Sequence, residues 1–367
     1  MSRFRYLIGP YSKVFVAYAV DSRTRYLSAS GGVATGILRF LLEEGFVDAV
    51  VVPRPRYRNG LVYGVWSIIR DSGELLGLSG SLYAPTYGFG RVLTRALERF
   101  KRLAVTTVPC YTRAARKIVE ARGRGSDIFI LGLYCSNTPS LLATRYALKY
   151  FGIRVDEVES VRFRGSGWPG YTVVKTKRGI IRIPFSVFWD CGFGQYFYGL
   201  NCYLCTDQTN TQADISLADP WTLPHEPIKK LGGATLVVVR SERGLEVFEE
   251  AVKSGYISAV EVDPIYAVQD ATLLRLSKRT LKKTTNTTYL SPSFTTIAYE
   301  IVYHVGHSLA LREGLWPLLR AYHKVFVPLV FKATGFLDSK LGTTWTKMYR
   351  GVKLLQKTKL QRRDLFA

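Results

Sequence analysis

The chain has 367 residues, of which 47% are hydrophobic and 22% are charged, a composition typical of a globular protein. This length exceeds one ordinary core, so two domains, or one domain with an extension, are expected. Five cysteines, an odd number in a long chain, exclude the disulfide framework of a small secreted domain. No stretch of about 18 residues lacks a charged side chain, so we predict no membrane span and a location in the reducing cytoplasm.

The strong positive charge is the most unusual property of the sequence. Fifty-one Lys and Arg against 28 Asp and Glu give a net charge of +23. Residues 275–367 contain 17 basic and 4 acidic residues and therefore contribute +13. Such a surface suits an anionic ligand, an acidic partner or an anionic membrane, and the simplest alternative is a solvated basic face. We do not expect nucleic acid as a partner, because the sequence contains no nucleic-acid-binding motif.

Strand-like and helix-like segments alternate through the first half of the chain. A strand is predicted at 13–20, followed by a helix at 31–45 that begins at a glycine-rich turn. The next predicted elements are the strands VDAVVVP and LVYGVWSII, a helix at 91–102, the strand LAVTTVPC, a helix at 112–122, the strand DIFILGLYC and a helix at 140–151. This alternation predicts an α/β protein with a mixed sheet and flanking helices.

The pattern changes in the middle of the chain. Short β-segments with turn glycines occupy residues 155–189, and residues 191–221 form a polar, cysteine-containing loop region typical of a ligand or metal site. Strand, helix and strand patterns then return, and after about residue 265 the sequence becomes helical and basic. We therefore predict a catalytic domain at 1–265 and a basic, mainly helical C-terminal extension at 266–367.

Four of the cysteines are placed where they can share one site. Cys110 and Cys135 each follow a predicted strand, and ligands of parallel sheets collect at the carboxyl ends of the strands. Cys202 and Cys205 form a C-x-x-C pair in the polar loop. Four thiolates suit a [4Fe–4S] cluster or zinc, and the dispersed spacing favours the cluster. The alternative is a redox dithiol with the other cysteines buried as small apolar residues.

Two glycine-containing turns are candidate cofactor contacts. SGGVAT, at 30–35, opens a helix, and the amides of a helix N-terminus suit an anion such as the phosphate of a nucleotide. GSLYAP, at 80–85, contains a tyrosine that can stack on a planar ring. The alternative interpretation of the first turn is a tight turn before a helix, since it is neither a dinucleotide-binding fingerprint nor a P-loop.

An ordered series of motifs carries a resemblance to a known family. The motifs are SGGVATGILRFLLEEGFVDAVVV, GSLYAP, VPCY, GLYC, FRGSGWPG, CYLCTDQTNTQADISLADPW and GGATLVVVRSERG. Over roughly residues 25–265 the chain resembles the coenzyme F420 hydrogenase/dehydrogenase beta-subunit family. The resemblance implies a flavin- and [4Fe–4S]-dependent oxidoreductase that passes electrons between coenzyme F420, or a similar hydride donor, and an acceptor or partner subunit.

The same resemblance implies roles for individual residues. The cluster would be bound by Cys110, Cys135, Cys202 and Cys205. The flavin (FAD or FMN) or its electron donor would lie near Gly31, Gly32, Thr35, Gly80, Ser81 and Tyr83. Cys191 matches no family position. Asp207 and Asp214 match acidic positions of the family, with cluster support and loop-fixing hydrogen bonds as two open roles.

The sequence also departs from the family pattern. Leu82 stands where a basic residue is frequent, and Val108 and Ala218 stand where glycine is common. Two of these departures fall in motifs expected near the ligand, so nicotinamide is an alternative hydride donor to F420.

The basic C-terminal extension supports a second hypothesis. Aromatic residues are interleaved with its charges, at Trp316, Tyr322, Phe326, Phe331, Trp345 and Tyr349. This pattern is typical of an amphipathic surface helix that contacts a partner protein or the membrane periphery. The alternative function is therefore that of a membrane-surface-associated relative acting in surface-polysaccharide assembly without F420 chemistry.

Overall fold

Two β-sheets organise the part of the chain that the structure describes. The computed structural model describes residues 3–123, 128–269, 272, 294–330 and 332–333. Nine strands in these residues form one sheet and three form a second. The strands are β1 (Lys13–Ala19), β2 (Ala49–Arg58), β3 (Leu61–Ile69), β4 (Thr86–Tyr87), β5 (Leu103–Thr107), β6 (Ile128–Leu133), β7 (Val158–Arg162), β8 (Tyr171–Thr176), β9 (Gly179–Pro184), β10 (Ile215–Ala218), β11 (Thr235–Val239) and β12 (Ile257–Glu261).

The large sheet is mixed, as the sequence predicted. Its strand order is β12-β1-β11-β10-β6-β5-β2-β3-β4. The four central strands β10, β6, β5 and β2 run parallel, whereas β1, β11 and β12 at one side pair antiparallel. Parallel strands are buried on both faces, which explains the apolar run of β6 and the apolar first half of β5. The prediction of an α/β mixed sheet is confirmed.

Helices cover both faces of this sheet. The helices are α1 (Arg3–Ile8), α2 (Ser22–Leu27), α3 (Val33–Glu43), α4 (Gly73–Leu78), α5 (Phe89–Arg99), α6 (Pro109–Ala121), α7 (Leu141–Tyr150), α8 (Phe185–Phe188), α9 (Gly194–Tyr196), α10 (Leu200–Tyr203), α11 (His225–Lys230), α12 (Glu242–Lys253), α13 (Phe294–Ala310) and α14 (Trp316–Ala321). Helices α3 and α12 share a core with Val50, and α5 and α6 share a core with Val51. Neighbouring strand residues point to opposite faces, so one strand supplies both cores.

The second sheet contacts the large sheet through its strand β7, which ends at an arginine. Strands β7, β8 and β9 pair antiparallel, and β7 lies beside β2 of the large sheet. Arg162 is the last residue of β7.

The described part of the C-terminal extension packs on the body of the protein. Tyr303 and Trp316 are buried, and Trp316 shares a core with Tyr146 of α7. The Tyr303 hydroxyl donates to the carbonyl oxygen of Tyr198 at 2.9 Å. Residues 273–293 and 334–367, which hold more than half of the predicted basic extension, lie outside the described residues, so the boundary at 265 stays a prediction. Among the described helices, none has both the length and the apolar character needed to cross a membrane.

Candidate cofactor site

A cavity of about 1150 Å³ opens at the carboxyl ends of β5 and β6. Parallel sheets bind their ligands at this edge. The turn before α3, the turn between α4 and β4, the end of β7 and the segment containing Cys202 complete its wall. The volume is slightly larger than the roughly 300–1,000 Å³ of typical small-molecule sites, so it accommodates a ligand of nucleotide size.

The structure brings the two predicted glycine turns to this one cavity. The lining includes Gly32, Thr35, Gly80, Ser81 and Tyr83. Gly31 lies deeper, because a Cβ atom built on it would be 2.7 Å from Cα of Ala234 and 2.8 Å from the carbonyl oxygen of Ala17. Glycine at this position therefore lets the turn pack against the backbones of β1 and of the residue preceding β11.

Tyr83 is held by other aromatic side chains of the protein. Its ring lies 5.7 Å from Phe185 and 4.9 Å from Trp189, measured between ring centroids. Its hydroxyl accepts a hydrogen bond from Nη1 of Arg164 at 3.4 Å. Part of the ring that we expected to stack on a cofactor is thus packed against the protein.

A buried ion pair forms another part of the cavity wall. Arg164 is 1% exposed and donates to both carboxylate oxygens of Asp219, at 2.5 and 3.0 Å. Burial acts to lower the pKa of Arg164, but the charge and hydrogen bonds of Asp219, together with those of Tyr83, raise it above its ordinary value, so the guanidinium stays charged. Trp168 donates to the same carboxylate at 3.1 Å. A bidentate pair of this kind fixes the geometry of both partners.

Arg162 connects the two glycine turns. Its Nη2 atom donates to the carbonyl oxygen of Leu27 at 2.7 Å and to that of Ser79 at 2.8 Å. Leu27 precedes the first turn and Ser79 precedes the second. The sequence analysis assigned no role to Arg162 or Arg164. The available signal was their spacing, since arginines two positions apart at the end of a strand point to the same side.

Several polar atoms in the cavity wall lack partners within the protein. Seven buried side-chain nitrogen or oxygen atoms of the described residues have no hydrogen-bond partner, and three of them belong to the cavity-lining residues Thr106, Asn137 and Arg162. Buried polar groups in folded proteins are almost always hydrogen-bonded. Their concentration at this cavity fits a polar ligand.

The four predicted cluster cysteines come from three separate segments. Cys110 lies in the first turn of α6, Cys135 follows β6, and Cys202 and Cys205 lie in and just after α10. Cys110, Cys135 and Cys202 line the cavity. Burial raises the pKa of Cys110, and Cys202 and Cys205 raise it further. Cys205 therefore lies within electrostatic range of Cys110.

A single-ion site and a cluster place different requirements on the side chains that bind them. In the portion of the chain that the structure describes, no three His, Cys, Asp or Glu side chains converge on one metal ion. A structural zinc site needs four donors around one ion. The four thiolates of a [4Fe–4S] cluster bind different irons and need a larger cradle.

Cys191 lies apart from the other cysteines. It is 3% exposed and packs in the core that contains Tyr146, whose hydroxyl donates to the carbonyl oxygen of Cys191 at 3.0 Å. Burial raises the pKa of the Cys191 thiol to about 12, so the neutral form predominates. A buried neutral thiol is inert and acts as a small apolar residue.

Asn210 ties the cysteine-bearing segments together. The residue is fully buried, and its Nδ2 atom donates to the carbonyl oxygen of Thr107 at 2.8 Å and to that of Leu133 at 3.4 Å. Thr107 and Leu133 end the strands that precede Cys110 and Cys135. Gly132 makes room for the amide, since a Cβ atom there would be 2.6 Å from Nδ2. The sequence analysis missed Asn210, although it lies inside a quoted motif.

The two aspartates of this loop make loop-fixing hydrogen bonds. Asp207 accepts from the backbone of Asn210 at 3.0 Å and of Thr211 at 3.3 Å. Asp214 accepts from the backbone of Ile130 at 2.8 Å and from the Ser241 hydroxyl at 2.8 Å. Asp207 thus shapes the turn after Cys205, and Asp214 fastens the following segment to β6.

Comparison with known proteins identifies the class. Two family models match the chain, both described as belonging to the beta subunit of coenzyme F420 hydrogenase/dehydrogenase. The model of its N-terminal part matches residues 14–93, and the model of its C-terminal part matches residues 100–265. Together they match more than half of the chain. The chain belongs to the coenzyme F420 hydrogenase/dehydrogenase beta-subunit family, which confirms the resemblance and the expectation of an oxidoreductase.

Curated relatives support the same assignment. The F420-dependent formate dehydrogenase subunit beta of Methanocaldococcus jannaschii is 26% identical over 279 residues, covering 74% of this chain and 69% of the relative. The coenzyme F420 hydrogenase subunit beta of Methanothermobacter thermautotrophicus is 22% identical, covering 71% of this chain and 88% of the relative. Among solved structures, a chain of the F420-reducing [NiFe] hydrogenase complex from Methanosarcina barkeri aligns with a TM-score of 0.57 and 21% identity, covering 76% of this chain and 93% of that chain. That similarity establishes the shared fold.

Proposed function

We propose that this chain is an electron-transferring oxidoreductase subunit that binds a flavin in the cavity, binds a [4Fe–4S] cluster through Cys110, Cys135, Cys202 and Cys205, and exchanges hydride with coenzyme F420. One observation carries the proposal: both glycine turns and three of these cysteines line the same cavity. A flavin exchanges electrons in pairs or singly, and a cluster transfers them singly, so adjacent sites suit conversion between the two.

The residues of the chain would position and shield the two groups. Gly32 and Gly80 have positive φ, 78° and 107°, a conformation that glycine adopts readily, and both turns line the cavity in which the flavin would lie. The Arg164–Asp219 pair fixes another part of the wall. Hydrogen bonds of Asn210 and Asp207 hold the cysteine-bearing segments in fixed relative positions. The protein's task in this proposal is placement and control of access, as in other cofactor enzymes.

The charge of the chain supports an anionic substrate and a protein partner. Coenzyme F420 carries a phosphate and carboxylates, and a net charge of +23 attracts it. The relatives from Methanocaldococcus and Methanothermobacter are named as beta subunits. We propose that residues 1–265 carry the redox groups, and that residues 266–367 contact a partner protein of the same complex, with peripheral membrane contact as the alternative.

Anaerobic purification tests the proposal. The expected preparation is brown, contains about four iron and four sulfide per chain, as one cluster requires, and retains FAD or FMN. Reduced F420 should bleach the flavin absorbance, and NADH is the competing donor to test beside it. Stoichiometric zinc without iron and sulfide, or failure of cluster-loaded protein to bind any flavin, contradicts the proposal.

A further inference from the structure

Arg162 is a partly buried cation without a carboxylate partner. No carboxylate of the described residues lies within salt-bridge range of its guanidinium, and its Nε atom is buried without a hydrogen-bond partner. Arg164, two residues later, is neutralised by Asp219. The other carboxylate lining the cavity is Asp190, which is exposed and accepts from Gln195 at 3.3 Å. The charge of Arg162 is therefore uncompensated within this part of the protein.

The local backbone is arranged to accommodate the guanidinium. A Cβ atom built on Gly165 would be 3.3 Å from Nε of Arg162, and one on Gly80 would be 3.5 Å from it. Both glycines have positive φ, 147° at Gly165 and 107° at Gly80. The guanidinium thus lies between two glycine backbones and is held by the carbonyl oxygens of Leu27 and Ser79. These contacts fix the position of the charge at the cavity wall.

A partly buried charge without a compensating carboxylate is unfavourable unless a ligand supplies the opposite charge. Burial lowers the pKa of Arg162, which is the direction expected when water is removed without a compensating anion. Buried charges in proteins are paired or bind ligands. Arginine pairs well with phosphate oxygens, because its planar donors match their geometry. The ligand chemistry that fits this position is an anionic phosphate ester.

We propose that Arg162 is the anion-binding residue of the cavity and pairs with a phosphate group of its ligand, at the point where the two glycine turns meet. The inference deepens the proposed function, which already assigns a cofactor to this cavity. Two ligands contain a phosphate of this kind: a flavin nucleotide and F420.

Inorganic pyrophosphate is the probe that tests the site without relying on any cofactor. Its affinity for the full chain is measured by calorimetry at constant ionic strength. Arg162→Gln removes the charge but keeps an amide that can donate to the same carbonyl oxygens. Arg182→Gln is the matched control, because Arg182 lies exposed on β9 of the same small sheet. We expect pyrophosphate to bind Arg162→Gln roughly ten- to a hundredfold more weakly than wild type, and to bind Arg182→Gln unchanged.

Comparison of paired ligands identifies the source of the phosphate. If a flavin nucleotide supplies it, Arg162→Gln weakens binding of FAD but not of riboflavin. If F420 supplies it, the variant weakens binding of F420 but not of its phosphate-free deazaflavin chromophore. Equal affinity of the variant and wild type for pyrophosphate, FAD and F420 overturns the inference.

If the variant does not fold, a measurement on the wild-type chain still tests the inference. Phenylglyoxal modifies arginine, and mass spectrometry reports the modification of the Arg162 peptide with and without pyrophosphate. Protection of this peptide supports the inference, and the same modification in both samples overturns it.

Pyrophosphate binding through Arg162 in a chain that binds no flavin would reject the proposed flavin role alone. Flavin binding that is independent of Arg162, with no effect of the variant on pyrophosphate or F420, would reject the inference alone.

Discussion

The side-chain amide of Asn210 donates a hydrogen bond to the carbonyl oxygen of Thr107 at 2.8 Å, across 103 positions of sequence. Thr107 ends the strand before Cys110, and Asn210 lies shortly after the Cys202–Cys205 pair. One amide therefore links two of the cysteine-bearing segments. Its hydrogen bond to the carbonyl oxygen of Leu133 links the third segment to them.

Replacing Asn210 should disturb cluster binding more than replacing a buried polar residue elsewhere. Asn210→Ala leaves the carbonyl oxygens of Thr107 and Leu133 without this donor, at about 1–3 kcal/mol for each buried group left unsatisfied. We expect the iron and sulfide content per chain to fall well below that of wild type. Thr172→Val is the control, since Thr172 is fully buried and donates to Phe163 within the small sheet. Equal iron content in both variants would contradict the positioning role.

Serine substitutions separate the proposed ligands from the remaining cysteine. Cys202→Ser and Cys205→Ser should each abolish or severely reduce cluster loading, because a hydroxyl is a poor replacement for a thiolate ligand of iron. Cys191→Ser is the matched control and should retain iron and sulfide, since Cys191 is packed in a separate core. Anaerobic iron and sulfide assays, with the absorbance spectrum, check this. Loss of the cluster from Cys191→Ser would show that the ligand set is different.

Removing the charge of Asp219 should destabilise the protein strongly. Asp219→Asn leaves Arg164, which is 1% exposed, without its carboxylate. Breaking a buried ion pair from one side costs about 3–5 kcal/mol. The free energy of unfolding, measured in denaturant, should fall by an amount in this range. Glu249→Gln breaks the exposed pair with Lys13 and should change it by less than about 0.5 kcal/mol. A similarly small change in both variants would contradict this account.

The elements of the fold could be predicted because local pattern determines them. The apolar runs at 49–52 and 103–105 are buried on both faces of the sheet, and each shows the pattern of a parallel strand by itself. The contacts of Arg162 could not be predicted in this way. They span 135 positions to Leu27 and 83 positions to Ser79. The residue pattern of a short sequence segment does not show which distant carbonyl oxygens a side chain contacts.

The same difference between local pattern and long-range contact applies to the candidate site. The positions of Cys110 and Cys135 after two strands were readable from sequence, because neighbouring parallel strands end at one edge. The placement of Gly31 behind the cavity wall was not readable, since it depends on the close approach of Ala234 and Ala17.

Acid should weaken the start of α2 through Asp21. This carboxylate accepts from the backbone of Arg23 and Thr24 at 3.1 Å each, and its pKa is lowered, first by its hydrogen bond with the Thr24 hydroxyl. A lowered folded-state pKa means that this stabilisation is present above the unfolded pKa of about 4. It is lost as the pH falls through the lower folded value.

Asp21→Asn tests this pH dependence. Asparagine retains the capping geometry but does not titrate in this range, so its stability relative to wild type should improve as the pH falls. The expected difference at neutral pH is at most about 1 kcal/mol, because the side chain is half exposed. Urea unfolding from about pH 7 to about pH 3, a range that spans the ordinary carboxyl pKa, measures it. A stability difference that is the same at every pH would contradict the titration of Asp21.

Two truncations separate the packed part of the C-terminal extension from the basic residues that follow it. A chain ending at residue 293 lacks Tyr303 and Trp316, which are buried against the body of the protein. The loss of several buried aromatic and aliphatic side chains, at about 2–5 kcal/mol each, should leave this chain unfolded or insoluble.

A chain ending at residue 333 retains those helices and should keep its fold and cofactors. It lacks residues 334–367, which contain eight Lys or Arg and two Asp or Glu. Since each basic residue near an anionic surface contributes about 1 kcal/mol of attraction, its binding to phosphatidylglycerol vesicles or to an acidic partner protein should be weaker and less sensitive to salt. Cosedimentation at low and high salt, beside the full chain, measures the difference. Unchanged binding would show that the basic residues beyond 333 do not serve docking, whereas cofactor loss would show that they support the core.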